Sequence, residues 1–191
     1  FEILSTDQNA EYFQKLSNLK INIVSSDYIK SLFPPNTSTQ NIAAKVAGVA
    51  IHHIPQELID NPNSKLVILD KITDPQNLGS ILRSAAAFGI DAVIYPKDGG
   101  VRENATVAKA ACGALDIVPL IEVVNINNIM LDLKKQGFWV IGLDGSAKDT
   151  IDKNPAILKG KIAIVMGSEG EGLRPLVTKN CDLLVKIAIS T

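Results

Sequence analysis

The chain has 191 residues, enough for one medium domain or for a small domain joined to one of ordinary size. Apolar residues make up 46% and charged residues 20%, and no apolar run could span a bilayer, so we expect a soluble protein without a membrane role. The net charge of −1 gives no general basic excess for a nucleic-acid partner, although a neutral protein can still carry a basic groove.

The two cysteines, Cys112 and Cys181, lie far apart and outside any CxxC pattern. They suggest neither a disulfide framework nor a zinc site, so we expect no metal and a reducing, cytoplasmic compartment. Cys112 lies among small residues of a predicted helix, which is typical of a packed core thiol. The first ten residues have neither the basic nor the apolar region of a signal peptide.

Residues 1–52 have the pattern of a small α/β domain. Hydrophobic periodicity predicts helices at 11–19 and 27–32 and strands at 21–24 and 46–51. The following segment, 53–64, contains two prolines, two asparagines and a serine, which is the composition of turns and connectors. We therefore predict a linker there.

From Lys65 onward, apolar runs alternate with helical patterns. The predicted strands are 66–69, 92–95, 115–120, 139–143, 162–166 and 183–189. Such alternation predicts βαβ units and a mostly parallel sheet with helices on both faces. Ligands of open α/β sheets bind at the carboxyl ends of the strands, so the loops after Leu69, Leu143, Met166 and Ile187 are the candidate binding loops.

The segment 74–85, with sequence DPQNLGSILRSA, marks a strand-to-helix junction. Asp74 supplies a capping side chain and Pro75 a fixed φ, so a helix should open at or near Asn77. Leu78, Ile81, Leu82, Ala85 and Phe88 then share one stripe. Arg83 projects almost opposite this stripe, where it could reach an anionic ligand or be an ordinary solvated arginine.

A glycine-rich segment, MGSEGEGLRP, follows the predicted strand at 162–166. Gly167, Gly170 and Gly172 would let the backbone approach a ligand closely. A tight turn without a ligand is the alternative; Glu169 fits that alternative less well, although an exposed glutamate in a loop costs nothing. The segment is not a dinucleotide fingerprint, because Pro175 stands where the last glycine would be needed.

In this order and spacing, the segments resemble the SpoU-type family of S-adenosylmethionine-dependent RNA ribose 2′-O-methyltransferases. The first motif of that family, Asp-Pro-x-Asn-x-Gly…Arg, matches residues 74–83, and the second, Gly-x-Glu-Gly, matches 167–170. The third begins Ile-Pro-Met and is here Ile187-Ala188-Ile189. The run 105–120 is similar to the bacterial 23S ribosomal RNA guanosine methyltransferases of the family, and the turn at 39–44 to one that closes their small domain.

The resemblance implies an α/β fold with a C-terminal deep trefoil knot, preceded by a small domain like ribosomal protein L7Ae. The small RNA-binding domain would be 1–52 and the methyltransferase domain 65–191, each incomplete at its outer end, so that the natural protein extends beyond both Phe1 and Thr191. It further implies a homodimer that transfers a methyl group from S-adenosylmethionine to a ribose 2′-hydroxyl of RNA, with a guanosine of 23S ribosomal RNA as the expected target. The implied catalytic residues are Arg83, Asn77 and Glu169, and the implied cofactor-binding residues are Gly167, Gly170, Leu143, Ile187 and Ile189.

Three alternatives stay open. The substrate could be transfer RNA, because the family uses nearly the same motifs on both RNAs. Because Ala188 and Ile189 replace the proline and methionine of the third motif, the chain could also be an inactive RNA-binding module of the same fold. A nucleotide-dependent dehydrogenase is the third, disfavoured by the missing fingerprint.

Overall fold

The computed structural model describes residues 2–7, 10, 21–153 and 155–188. The chain forms two compact units, Phe1–Gly48 and Val49–Thr191. The predicted helix at 11–19 and the predicted cofactor residue Ile189 lie outside the described residues.

The first unit contains a three-stranded sheet with the order β2-β1-β3. These strands are Glu2–Ser5 (β1), Ile21–Ile23 (β2) and Ile42–Lys45 (β3), with β2 parallel and β3 antiparallel to β1. Helix α1, Ser26–Ser31, is capped by the side chain of Ser25. The predicted strand at 46–51 is wrong, because pairing with β1 ends at Lys45 and, of the residues 46–51, only Ile51 pairs, in a single parallel bridge with Ile121 within the second unit.

The second unit contains a six-stranded parallel sheet, which confirms the predicted α/β architecture. Its strands are Lys65–Leu69 (β4), Ala92–Pro96 (β5), Leu120–Val123 (β6), Trp139–Leu143 (β7), Ile162–Met166 (β8) and Leu183–Val185 (β9). Their order is β6-β5-β4-β8-β7-β9, so β8 lies between β4 and β7. In the dinucleotide-binding fold the same six strands would have the order β6-β5-β4-β7-β8-β9, so the positions of β7 and β8 are exchanged here.

Helices cover both faces of this sheet. They are Gln56–Asp60 (α2), Pro75–Ala87 (α3), Ala105–Ala111 (α4), Ile126–Lys135 (α5) and Pro175–Asn180 (α6). Side chains of α3 and α4 share one apolar core with the sheet, and side chains of α5 and α6 share the other. Helix α2 lies within the predicted linker 53–64, and its Leu58 and Ile59 pack against the second of these cores.

The predicted strand at 115–120 is wrong. Helix α4 ends in two left-handed residues, Cys112 at φ 50° and Gly113 at φ 89°, and a short 3-10 helix, Ala114–Asp116, follows. The strand therefore begins only at Leu120. Cys112 is exposed, so its assignment to the core is also wrong.

The C-terminal strand has hydrogen-bonding partners on two sides. On one side β9 pairs with β7, and the amide of Asp144 donates to the carbonyl of Val185 at 2.9 Å. On the other side, Lys186 donates to the carbonyl of Asp149 at 2.9 Å and accepts from the amide of Ile151 at 3.0 Å. The segment 183–186 therefore lies between β7 and the connection that leads from β7 to β8.

Among the helices that the structure describes, none has the length and apolar character needed to cross a membrane.

Candidate functional site

The junction between β4 and α3 forms as its sequence predicts. The Asp74 carboxylate accepts the backbone N–H of Gln76 at 2.9 Å, and Pro75 is the first helical residue. Leu78 and Leu82 are fully buried on the predicted stripe. Phe88, predicted to share that stripe, is 79% exposed, because the helix ends at Ala87. The first turn therefore holds Asn77 in a fixed position above the sheet.

A groove of about 610 Å³ runs between α3 and the glycine-rich loop. Asn77, Gly167 and Glu169 all line it, so the structure brings together two predicted catalytic residues and one predicted cofactor residue. The remaining lining is mostly apolar, with two serines on α3: Val67, Ile72, Ser80, Ile81, Ser84, Ala85, Phe88, Ile90, Ile164 and Met166. Its volume falls within the range of about 300–1,000 Å³ that is usual for small-molecule sites.

Arg83 does not line this groove. It is exposed on the flank of α3, and one helical turn separates it from Ser80, which does line the groove. Among the described residues its guanidinium has neither an ion pair nor a hydrogen bond. Arg83 is therefore available to an external anion, beside the groove rather than inside it.

Three of the predicted cofactor residues lie at or just after the carboxyl ends of three neighbouring strands. Leu143, the last residue of β7, pairs in register with Met166 of β8 and with Val185 of β9. Gly167 comes directly after Met166, and Ile187 comes two residues after Val185 and is 59% exposed. This is the edge at which open parallel sheets bind ligands.

The glycine-rich loop is closed on itself by a small antiparallel bridge. Ser168 donates to the carbonyl of Gly172 at 3.2 Å, and Gly172 donates back to Ser168 at 3.0 Å. A Cβ on Gly167 would collide with the backbone of Gly172 and Leu173. From the sequence, the missing side chain at Gly167 was attributed to the close approach of a ligand, but the loop's own backbone occupies that space. Gly170 lies exposed in the loop with φ 89°, a left-handed conformation that favours glycine.

Sequence reasoning missed Asp70, which directly follows β4. Asp70 is fully buried, and its carboxylate accepts the backbone N–H of Arg174 at 2.9 Å and the side-chain Nε of the same residue at 2.6 Å. The two residues are 104 positions apart, so no local pattern links them. The signal that could have been used is a carboxylate at the carboxyl end of an apolar strand, next to a predicted binding loop.

The turn after β7 is fixed by a second carboxylate. Asp144 accepts both the amide N–H of Ser146 at 2.8 Å and its hydroxyl at 2.7 Å. The hydroxyl and then the amide lower the pKa of Asp144 below its ordinary value. This Asx-type turn shapes the loop that follows Leu143.

A separate cavity of about 480 Å³ lies at the carboxyl ends of β5 and β6. It is lined by His52, Lys97, Glu122 and Asn125 among others, and it contains none of the predicted site residues. Burial and the neighbouring Glu122 raise the pKa of Tyr95, whose hydroxyl donates to that carboxylate at 3.3 Å. His52 lies 3.5 Å from Glu122 and is well exposed, and no group of three or more metal-ligating side chains occurs among the residues described.

A parallel α/β unit with a glycine-rich loop and a capped helix start on one groove is typical of domains that bind a small molecule at the sheet edge. Comparison with known families makes this specific. Residues 64–191 match the SpoU rRNA Methylase family, and the chain belongs to this family.

The chain is similar over part of its length to bacterial proteins named 23S rRNA (guanosine-2′-O-)-methyltransferase RlmB. That of Vibrio parahaemolyticus is 50% identical over 125 residues, which are 65% of this chain and 50% of the relative. That of Xylella fastidiosa is 43% identical over 152 residues, or 78% of this chain and 60% of the relative. The chain thus spans between half and two thirds of the length of these relatives.

The fold is shared with solved structures of methyltransferases. The SpoU methyltransferase AviRb from Streptomyces viridochromogenes, crystallised with AdoMet, has a TM-score of 0.78 and 17% identity, with 100% of this chain and 74% of that chain covered. A structure described as an RNA 2′-O ribose methyltransferase has a TM-score of 0.77 and 23% identity, with 99% of this chain and 72% of that chain covered. At these identities the likeness establishes the fold.

Proposed function

We propose that the protein transfers a methyl group from S-adenosylmethionine to a ribose 2′-hydroxyl of RNA, with a guanosine of 23S ribosomal RNA as the target. Membership of the SpoU family, together with a groove that joins Asn77, Gly167 and Glu169, carries this proposal. The names of the similar bacterial proteins give the RNA and the nucleotide.

The carboxyl edge of β7, β8 and β9 fits the proposed cofactor. S-Adenosylmethionine has an apolar adenine face, a cationic sulfonium and polar amino-acid groups. The exposed Ile187 and the strand end at Leu143 offer apolar surface, while the glycine-rich loop offers backbone groups and the Glu169 carboxylate. We propose Gly167, Gly170, Leu143, Ile187 and Ile189 as the residues that hold it.

S-Adenosylmethionine, held by these residues, would supply the electrophilic methyl group of its sulfonium for transfer to the ribose 2′-oxygen. The hydroxyl must lose its proton, so positioning and proton removal are the tasks left to the protein. Asn77, half-buried in the groove, can donate and accept hydrogen bonds at once and would orient the ribose. Glu169 would orient the methyl donor or the loop.

Arg83 is proposed as the third catalytic residue. A guanidinium has a pKa above about 12, which makes it a poor proton acceptor without a special environment. The guanidinium of Arg83 is exposed and has no partner among the residues that the structure describes. This favours a forked contact with an RNA phosphate beside the groove, with the proton passing to that phosphate or to water. Its place on the flank of α3 suits a ligand that extends past the groove.

We further propose that the C-terminal segment forms the deep trefoil knot of the family. The support is the position of 183–186 between β7 and the β7–β8 connection, with hydrogen bonds to both. The small α/β unit at the start of the chain would be an L7Ae-like domain that binds RNA, and the protein would act as a homodimer in the cytoplasm. The L7Ae likeness, the RNA binding of this unit and the homodimer follow from the resemblance alone, and the location follows from the cysteine content.

A methyl-transfer assay tests the function. Radiolabelled S-adenosylmethionine is incubated with the protein and either 23S ribosomal RNA or transfer RNA, and the ribose-methylated nucleotide is mapped. Label on a 23S guanosine supports the proposal, and label on transfer RNA moves the target to that substrate. Cofactor binding in calorimetry without transfer to either RNA, or no binding at millimolar cofactor, would favour the inactive RNA-binding alternative.

A further inference from the structure

Asp70 is the one fully buried carboxylate among the residues that the structure describes. A buried carboxylate is strongly unfavourable unless it is paired and hydrogen-bonded. Its partner, Arg174, keeps 42% of its side chain exposed. A buried charge of this kind needs an explanation beyond the packing of the core, and its three hydrogen bonds provide one.

Asp70 holds both ends of the glycine-rich loop. Its backbone N–H donates to the carbonyl of Met166 at 2.7 Å, directly before the loop begins. Its side chain accepts the N–H of Arg174 at 2.9 Å and the Nε of Arg174 at 2.6 Å, where the loop ends. A single residue directly after β4 thus fixes the separation of the two ends of the segment 167–174.

Two of the residues between these two ends line the groove. The Ser168–Gly172 bridge closes the loop internally, and Gly167 and Glu169 line the groove. With both ends held, the loop has little freedom to move Glu169 away from Asn77. Charge-assisted hydrogen bonds such as the one at Nε are stronger than neutral ones, which suits them to this task.

We propose that Asp70 is a positioning residue, which acts through Arg174 to hold the glycine-rich loop in the conformation that binds S-adenosylmethionine. This proposal rests on the proposed function for the identity of the ligand. The alternative is an ion pair that only stabilises the fold. Asp182 is a matched control for distinguishing these two roles, because its carboxylate also accepts one backbone N–H and one cationic side chain. It accepts the N–H of Val140 at 2.9 Å and the Nζ of Lys134 at 2.7 Å.

The experiment compares Asp70→Asn with Asp182→Asn, both nearly isosteric and both without the charge. Cofactor affinity is measured by calorimetry, and amide exchange of Ser168 and Gly172 by mass spectrometry. For Asp70→Asn we expect affinity to fall by about 10- to 100-fold, by analogy with the groups that orient metal ligands, and the two loop amides to exchange faster. For Asp182→Asn we expect both properties to match the unchanged protein, whatever its loss of thermal stability.

Arg174→Ala provides a second variant, which removes the Nε contact but keeps the backbone N–H of residue 174 on Asp70. It should show the same two effects. Unchanged affinity and unchanged exchange in a folded Asp70→Asn or Arg174→Ala would overturn the proposal, and so would an equal loss of affinity in Asp182→Asn. If the unchanged protein binds no S-adenosylmethionine, the proposed function fails, while the exchange of the loop amides still decides whether Asp70 holds the loop.

Discussion

The backbone of Gly172 occupies the space into which a side chain at Gly167 would project. Gly172 is itself one partner of the Ser168–Gly172 bridge and Gly167 directly precedes the other, so the loop can close only if position 167 lacks a Cβ. The sequence argument attributed this glycine to a ligand that approaches the backbone. The structure attributes it to the folding of the loop itself.

Gly167→Ala should therefore lower the stability of the folded protein as well as cofactor affinity. Because the methyl group meets backbone atoms that cannot rotate away, we expect a loss of about 1–3 kcal/mol in the free energy of unfolding. Gly145→Ala is the matched control: its Cβ would meet no atom within 4 Å, and its φ lies outside the left-handed region. Urea denaturation of both variants measures the difference, and equal stabilities would contradict this account of the loop.

The two cysteines should differ in reactivity toward iodoacetamide. Cys112 is exposed, whereas burial and then the neighbouring Asp182 raise the pKa of the Cys181 thiol to about 11. The thiolate is the reactive form, so Cys181 should stay unmodified at pH 8 while Cys112 is alkylated. Peptide mass spectrometry after alkylation of the native protein identifies the modified residue.

The same pKa shift sets the direction of a stability change. A thiol whose pKa is raised in the folded state contributes stability at neutral pH, which is lost as the pH rises from its unfolded value toward about 11. Cys181→Ala should therefore lose less stability than the unchanged protein as the pH rises toward about 11. A Cys181 that reacts as fast as Cys112 at pH 8 would show that the environment assigned to it is wrong.

Local patterns predicted the elements whose cause is local. Asp74 and Pro75 predicted a helix start at or near Asn77, and the helix begins two residues earlier, at Pro75. The apolar spacing of Leu78 and Leu82 predicted which face is buried. The errors arose where the end of an element is not set by the apolar spacing. Phe88 keeps the helical spacing of the buried residues but lies beyond the end of the helix at Ala87.

Non-local relationships could not be predicted in the same way. The hydrogen bonds between Asp70 and Arg174 depend on β8 lying beside β4, which periodicity does not reveal. The exposed position of Cys112 depends on its left-handed backbone at the end of α4. The roles of Arg83, Asn77 and Glu169 came from the resemblance and stay predictions, although the structure places the last two on one groove.

Glu169→Gln should lower kcat for methyl transfer with little effect on folding. Its side chain is exposed in the loop and lines the groove, so the change removes a charge without disturbing the core. Loss of one charge-assisted hydrogen bond, roughly 1.5–3 kcal/mol, corresponds to about a 10- to 100-fold slower reaction.

Glu171→Gln is its control, because this carboxylate belongs to the same loop but does not line the groove. Single-turnover rates with saturating cofactor and RNA should be near normal for Glu171→Gln. Equal rates in the two variants would remove Glu169 from the proposed site.

Arg83→Ala should reduce methyl transfer by about 100-fold or more while cofactor affinity and melting temperature stay near those of the unchanged protein. The reason is that Arg83 is exposed, has no partner in the described part of the chain, and does not line the groove. Arg83→Lys should fail almost as completely, because lysine keeps the charge but loses the planar fork that contacts a phosphate at two points.

Lys179→Ala, which removes an exposed cation from α6, is the control for a general loss of positive charge. Transfer rates, calorimetry with S-adenosylmethionine and thermal melts are measured on all three variants. Near-normal turnover in Arg83→Lys would contradict a shaped contact and leave only a requirement for charge, and near-normal turnover in Arg83→Ala would remove Arg83 from the catalytic residues altogether.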